Sequence, residues 1–460
     1  MNRKLLFILA TLAVSGLLLT SCNQIPANDD EQNQEQTDPK TNLQPLKLTV
    51  PVTSNWVFEK RPTITIGIEN PNDVAVTAEA KVVLKTDMGV PVTTLEKSAE
   101  VPAKGKIDIN ITTDKDLDPS FYNAHCVVNN KTAKDFNFGI DPFQIVSNPD
   151  KQPDFDEFWE TARKQLPVLD GSTVTMTEIT KKSNSSCKVY LVEMQSVPDG
   201  LEGEPVVVRG YYLEPQDGKK HPVLMHFFGY DTLKNPGKLS CPSGYGEYAE
   251  FYLSHRGQYI NNRPASKRED GVEKDFENIY GDWFVYNFGN KDGYYYRGAF
   301  MDTVQAVRFM ATRSTSDMSN LFAEGSSQGG ALCYAAASLS DYPFKAIAPN
   351  VAFLGDFPDY FKVAYWPGNE AKKKQGSMTD EQMYAFLSYF DTKNLATRIS
   401  CAVYATSGLQ DSTCPPHTNL APYMNLLSTD KEMHFYAEMT HDYPSGWYNT
   451  IMDYFKARTK

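Results

Sequence analysis

The sequence lacks what would mark a nucleic-acid binder, a multispanning membrane protein or a zinc-dependent one. Lys and Arg number 45 against 57 Asp and Glu, a formal charge of −12. The basic footprint that nucleic acid or an anionic membrane surface requires is therefore missing. Beyond residue 21 no stretch is long and apolar enough to span a bilayer. Of seven Cys, none forms a CxxC pair or a zinc-like spacing. Cys126, Cys187, Cys241, Cys333, Cys401 and Cys414 are scattered too widely for a disulfide framework, although an exported protein can pair some of them. What remains is ample core material: 41% of the 460 residues are hydrophobic, and the length suits two soluble domains.

The one long apolar run comes first. Arg3 and Lys4 precede an apolar segment over 5–19, too short to be a good membrane span. It ends in Leu19-Thr20-Ser21-Cys22, which resembles a bacterial lipobox. Residues 1–21 are then a lipoprotein signal peptide and Cys22 is the lipidated residue, several acyl chains giving a stable membrane anchor. The alternative is a plain signal peptide that carries a Cys. Residues 22–45 are polar with almost nothing to bury, a flexible tether. Its Asp29-Asp30-Glu31 cluster reads as linker charge, with an outer-surface sorting signal as the alternative. The expected location is the bacterial cell envelope, periplasm-facing or at the surface.

Residues 46–145 change to short alternating runs, as in Thr63-Ile64-Thr65-Ile66-Gly67-Ile68 and Ile107-Asp108-Ile109-Asn110-Ile111. Period two, with turns at 70–73, 88–89 and 102–105, predicts an immunoglobulin-like β-sandwich. Carbohydrate binding and a spacer role are both open for it. A polar boundary at 147–150 then leads into residues 146–460. Here strands at 188–194, 206–213, 223–228, 320–323, 402–406 and 433–437 alternate with helical patterns, clearest at 297–311 and after residue 327. That alternation predicts an α/β fold, a mostly parallel sheet flanked by helices.

Gly325-Ser326-Ser327-Gln328-Gly329 has the spacing of a nucleophile elbow, with a strand-like segment before it and a small-residue helix after it. A Ser hydroxyl needs a base to take its proton. In the α/β-hydrolase fold the partners follow in the order Ser, acid, His. Asp411 comes just after the strand at 402–406, and His441 after the strand at 433–437. His434 lies inside a strand, His417 at a helix start, and His226 precedes the nucleophile, so His441 is the expected base. The oxyanion donors expected are the backbone N–H groups of Gln328 and of Tyr230, in the loop after the strand at 223–228.

Taken together these segments resemble the cephalosporin-C deacetylase and acetyl xylan esterase family of carbohydrate esterases, over roughly residues 150–455. The resemblance rests on Arg256-Gly257-Gln258, on Tyr294-Tyr295-Tyr296-Arg297 with Asp302 and Ala306, on the elbow, and on Val351-Ala352-Phe353-Leu354. It continues in Leu387-Ser388-Tyr389-Phe390-Asp391 with Asn394-Leu395-Ala396, in Gly408-Leu409-Gln410-Asp411 and in Cys414-Pro415-Pro416. It implies an α/β-hydrolase with Ser327, Asp411 and His441 as the triad and Tyr230 and Gln328 at the oxyanion. It also implies small acetyl esters as substrates, acetylated xylan or xylo-oligosaccharides and cephalosporin-C-like esters, with no metal and no cofactor. Two positions depart from the pattern. Phe228 stands where the family has His, which bears on the pocket rim, and His417 stands where it has Ser, which leaves the triad untouched. The N-terminal additions mean that the family's ring-like oligomers do not carry over, and oligomerisation is open. The competing readings are a longer-acyl esterase or serine peptidase on the same fold, and a non-catalytic glycan-binding surface lipoprotein.

Overall fold

The computed structural model describes residues 43–230, 241–258, 260 and 280–459. The expected signal peptide, Cys22 and all but the end of the tether lie outside these residues. Among the described residues no helix is long and apolar enough to cross a membrane, and the six Cys are free thiols.

The alternating runs form β1 (Lys47–Thr49), β2 (Val57–Phe58), β3 (Thr63–Glu69), β4 (Val76–Thr86), β5 (Pro91–Val101), β6 (Lys106–Thr112), β7 (Ser120–Val128) and β8 (Thr132–Ile140). They make a three-stranded sheet, β1-β3-β6, and a five-stranded one, β2-β8-β7-β4-β5. Register follows the hydrophobic pattern: Ile64, Ile66 and Ile68 pair across the ladder with Ile111, Ile109 and Ile107. Ile64, Ile66, Ile68, Ile109 and Ile111 are buried in one apolar cluster with Val82, Leu84, Phe136 and Phe138 of the second sheet. One solvated face and one buried face per sheet is why the period of two is so clean here.

Next come α1 (Phe155–Lys164), β9 (Val174–Glu178), β10 (Cys187–Ser196), β11 (Val206–Pro215), β12 (His221–Phe227) and β13 (Ala249–Ser254). They are followed by α2 (Tyr295–Ala311), β14 (Ser316–Ser326), α3 (Gln328–Leu339) and β15 (Ala346–Asn350). The chain continues with α4 (Phe357–Val363), α5 (Gly368–Lys374), α6 (Asp380–Leu387), α7 (Thr392–Ala396) and β16 (Ala402–Gly408). It closes with α8 (Pro416–Met424), β17 (Lys431–Tyr436) and α9 (Trp447–Lys456). The nine strands order as β17-β16-β15-β14-β12-β13-β11-β10-β9. Pairings from β13 through β12 to β17 are parallel, and those among β9, β10, β11 and β13 are antiparallel.

Helix α1 shows how local pattern becomes packing. Phe155, Phe158, Trp159 and Ala162 recur at helical spacing and are buried, with acidic residues in the first turn and Arg163 and Lys164 in the last. Helix α3 is built from small residues and nearly all of it is buried. Sequence alternation missed β15, whose Ala346-Ile347-Ala348 is buried on both faces and carries no period of two; β9 and β13 were not expected either, although Ala249-Glu250-Phe251 alternates. The polar boundary at 147–150 is pinned in place. Ser147 Oγ donates to Asp356 (2.6 Å), and Asp150 exchanges hydrogen bonds with Asn394 (2.7 and 3.0 Å). The described residues from Pro45 on accordingly cluster as one compact unit.

Candidate active site

Strand β14 runs into α3 through Ser327, whose φ of 61° and ψ of −121° lie outside the ordinary regions for a side chain. The turn is possible only because its flanks are bare. A Cβ on Gly329 would overlap the Phe227 carbonyl, and one on Gly325 would come within 2.5 Å of Gly329. Asn350, at the end of β15, holds the turn. Its carbonyl accepts from Ser327 N–H (2.9 Å) and its side-chain amide donates to Ser326 Oγ (2.7 Å). The same amide donates to the Asp442 carbonyl (3.1 Å), beside His441.

The three expected residues meet here. Ser327 Oγ lies 2.9 Å from His441 Nε2, and His441 Nδ1 lies 2.8 Å from Asp411 Oδ2. With Asp411 ionised, Nδ1–H is the donor to it, and Nε2 is left to accept the Ser327 proton. The other Asp411 oxygen accepts from Thr413 N–H (2.8 Å) and Cys414 N–H (2.9 Å), so the carboxylate is locked. Asp411 is buried while the His441 side chain is 30% exposed, leaving the ring open to an incoming ester. The rival His residues are occupied elsewhere. His226 bridges Glu324 and Glu250, His434 stacks on Tyr404, and His417 sits between Asp87 and Asp359.

Gln328 opens α3, so its N–H is one of the helix's free donors. Gly229 lies against the elbow, its Cβ position 3.8 Å from that of Ser327, which brings the Tyr230 loop alongside. The Tyr230 hydroxyl bonds Asp282 and accepts from Phe284 N–H (3.0 Å), and its ring packs on Trp283 and Trp366. Phe353, whose N–H donates to the Ser327 carbonyl (3.0 Å), stacks on the same Trp366. Large rings therefore pack together around the Tyr230 loop and Phe353. Phe228, expected to bear on the pocket rim, packs instead toward Tyr252 and the cluster of Cys187 and Leu213.

Sequence reasoning missed the scaffold beneath Gln328. Its side-chain carbonyl accepts from Tyr296 OH (2.8 Å) and its amide donates to His255 Nε2 (2.9 Å). His255 Nδ1–H then donates to Tyr295 OH (2.9 Å), which donates to the Arg256 carbonyl (2.8 Å). An imidazole that accepts at one nitrogen must be neutral, and burial pulls the His255 pKa down to about 4 in agreement. Arg256 in turn pairs with Asp302 (2.8 Å) and Asp199 (2.6 Å). The only signal for this network was the two motifs at 256–258 and 294–297, whose roles the sequence did not state.

Residues 143–458 match the family described as acetyl xylan esterase (AXE1). The chain belongs to this family. It is therefore a carboxylic ester hydrolase, and its sheet and helices are those of the α/β-hydrolase esterases. Among relatives, it is 26% identical to the acetyl esterase Axe7A of Xylanibacter ruminicola over 399 residues, 84% of each chain. That share exceeds what the family match covers, so the likeness reaches into the N-terminal strands. Among solved structures, the acetyl xylan esterase from Paenibacillus sp. R4 is 27% identical with a TM-score of 0.55, over 69% of this chain and 98% of that one. Acetyl xylan esterase 1 from Thermoanaerobacterium sp. JW/SL YS485 shares the fold at 23% identity and a TM-score of 0.56, over 68% and 96%.

Proposed function

We propose that this esterase removes acetyl groups from carbohydrate, acetylated xylan or its oligosaccharides, through an acetyl-enzyme on Ser327. The observation that carries the reading is the continuous hydrogen-bonded line Ser327–His441–Asp411 at the elbow. His441 takes the Ser327 proton as Oγ attacks the acetyl carbonyl, and Asp411 fixes the tautomer and stabilises the imidazolium. The developing oxyanion is met by the N–H groups of Gln328 and Tyr230, each such donor being worth about 2.7–4 kcal/mol in the barrier. His441 then protonates the departing sugar oxygen, and water reverses the sequence to release acetate. Axe7A is by its name an acetyl esterase and the Paenibacillus protein an acetyl xylan esterase, which supports an acetyl ester as the substrate.

The test is acetate release from acetylated xylan by the wild type and by Ser327→Ala, with acetyl, butyryl and peptide chromogenic substrates in parallel. Release by the wild type alone, with the acetyl ester preferred, is expected. Equal release by both proteins refutes the nucleophile, and a preference for peptides refutes the acetyl-ester assignment.

The lipobox-like Leu19-Thr20-Ser21-Cys22 supports a further placement: Cys22 carries the lipid that tethers the enzyme to a bacterial membrane. Residues 46–145 then stand as an immunoglobulin-like sandwich between anchor and hydrolase. Cys22→Ser should move the protein from the membrane to the soluble fraction.

A further inference from the structure

Strand β17, which leads to His441, is the edge of the large sheet, and an edge presents unpaired backbone groups. Here the N-terminal sheets cover it. Asn55, in the turn before β2, donates its amide to the Phe435 carbonyl and accepts from Ala437 N–H (3.3 Å). Phe121 of β7 and Phe143, just after β8, place their rings 5.7 and 5.9 Å from that of Phe435.

The tightest link falls on the residue before Asp411. The Gln410 side chain accepts from Asn137 N–H of β8 (2.9 Å) and donates to the Asn137 carbonyl (3.0 Å). It also donates to the Ala437 carbonyl (2.7 Å), while its own backbone N–H donates to the Met439 carbonyl (3.0 Å). One side chain thus joins an N-terminal strand, the acid's loop and the segment running to the base. Beyond Asp411, His417 forms a second strut, 3.1 Å from Asp87 just after β4 and 3.4 Å from Asp359 of α4. A spacer or a free sugar-binding module has no need of bonds placed on these two loops.

We propose that the N-terminal sheets are part of the active site's support: Gln410, clamped to Asn137, is a positioning residue that holds the Asp411 and His441 loops in mutual register, with Asn55 and His417 as struts. The proposal rests on the triad reading above. The Asp411–His441 bond joins two separate loops, and the Gln410 side chain ties both to the backbone of Asn137 in β8. Slippage of one loop by about 1 Å is enough to cost on the order of a hundredfold in rate.

The experiment uses the full chain with Gln410→Met, which keeps the volume and removes the amide, and Gln410→Glu, which keeps only the acceptor. The kcat and KM for a chromogenic acetyl ester and the thermal midpoint are measured for each, alone and combined with Asp411→Asn. For Gln410→Met the expected result is a kcat lower by about ten- to a hundredfold with KM nearly unchanged. In the Asp411→Asn background the same substitution should cost about twofold or less, because its effect passes through Asp411. An equal loss in both backgrounds, or a lower midpoint with wild-type kcat, overturns the proposal. Should Gln410→Met not fold, Gln410→Glu and Asn55→Ala are read by the same criteria. Activity surviving in Ser327→Ala would instead sink the triad reading, whatever the Gln410 variants do.

Discussion

Asn350 offers a sharp test of how the site is held. It is fully buried, and its side chain makes three hydrogen bonds: to Ser326 Oγ (2.7 Å), to the Asp442 carbonyl (3.1 Å) and from Thr406 Oγ1 (2.5 Å). Asn350→Ala removes all three and leaves partners without replacements. At about 1 kcal/mol net for each bond, the loss is about 3 kcal/mol, and stranded polar groups push it higher. Two of the bonds end beside Ser327 and His441, so kcat should fall as well, by about tenfold or more for a sub-ångström slip of either loop. Asn350→Asp is a second probe of the same site. It still accepts from Thr406, and the Ser326 hydroxyl can turn to donate to it, but it repels the Asp442 carbonyl. A carboxylate buried there with no cation beside it is costly, so its stability should fall at least as far as that of Asn350→Ala, and kcat should drop with it. Urea unfolding followed by tryptophan fluorescence gives the first quantity, and initial rates on a chromogenic acetyl ester give the second. A loss below about 1 kcal/mol together with wild-type kcat in Asn350→Ala would refute the reasoning.

Two further outcomes follow from buried charge. Arg256→Met leaves Asp302, which is wholly buried, without its cation, and about 3–5 kcal/mol of stability should go, read as a shift in the urea midpoint. The dependence of stability on pH should have a limb on each side. Burial depresses the His255 pKa to about 4, so the unfolded chain binds a proton that the folded one refuses, and stability falls as pH drops from about 6.5 to 4. For His417, burial opposes the cation, but hydrogen bonds to Asp359 and Asp87 prevail and raise it to about 10. Lys362, on the same face, pairs with Asp359 and does not displace it. His417 thus contributes stability below about pH 6.5 that is lost as pH rises toward 10. Denaturation midpoints across pH for wild type and His417→Ser should show the alkaline limb flatten in the variant. An unchanged alkaline limb would contradict the ion-pair assignment.

Much of the hydrolase was legible along the chain, because its signals are local. Ser327 needs bare flanks and a strand-to-helix turn, and Gly325, Gly329 and the small residues of α3 announce both within a few positions. Strands β3 and β6 were legible because one face of each meets water, which imposes alternation. Strand β15 was not, since burial on both faces erases the period. Chain order and placement after strands pointed to Asp411 and His441, and left unsaid why they stay together. That answer lies in Asn350, Gln410 and the His255 chain, whose partners are distant in sequence. An amide side chain at a strand end or in a turn looks like any polar surface residue until the fold brings carbonyls to both its ends. Sequence by itself determined the nucleophile's turn, the class of fold and the order of the reacting groups, which depend on local sterics and hydrophobic period. Tertiary structure alone decided that the N-terminal sheets press on the acid and base loops, because hydrogen-bond geometry is set by where the backbones meet.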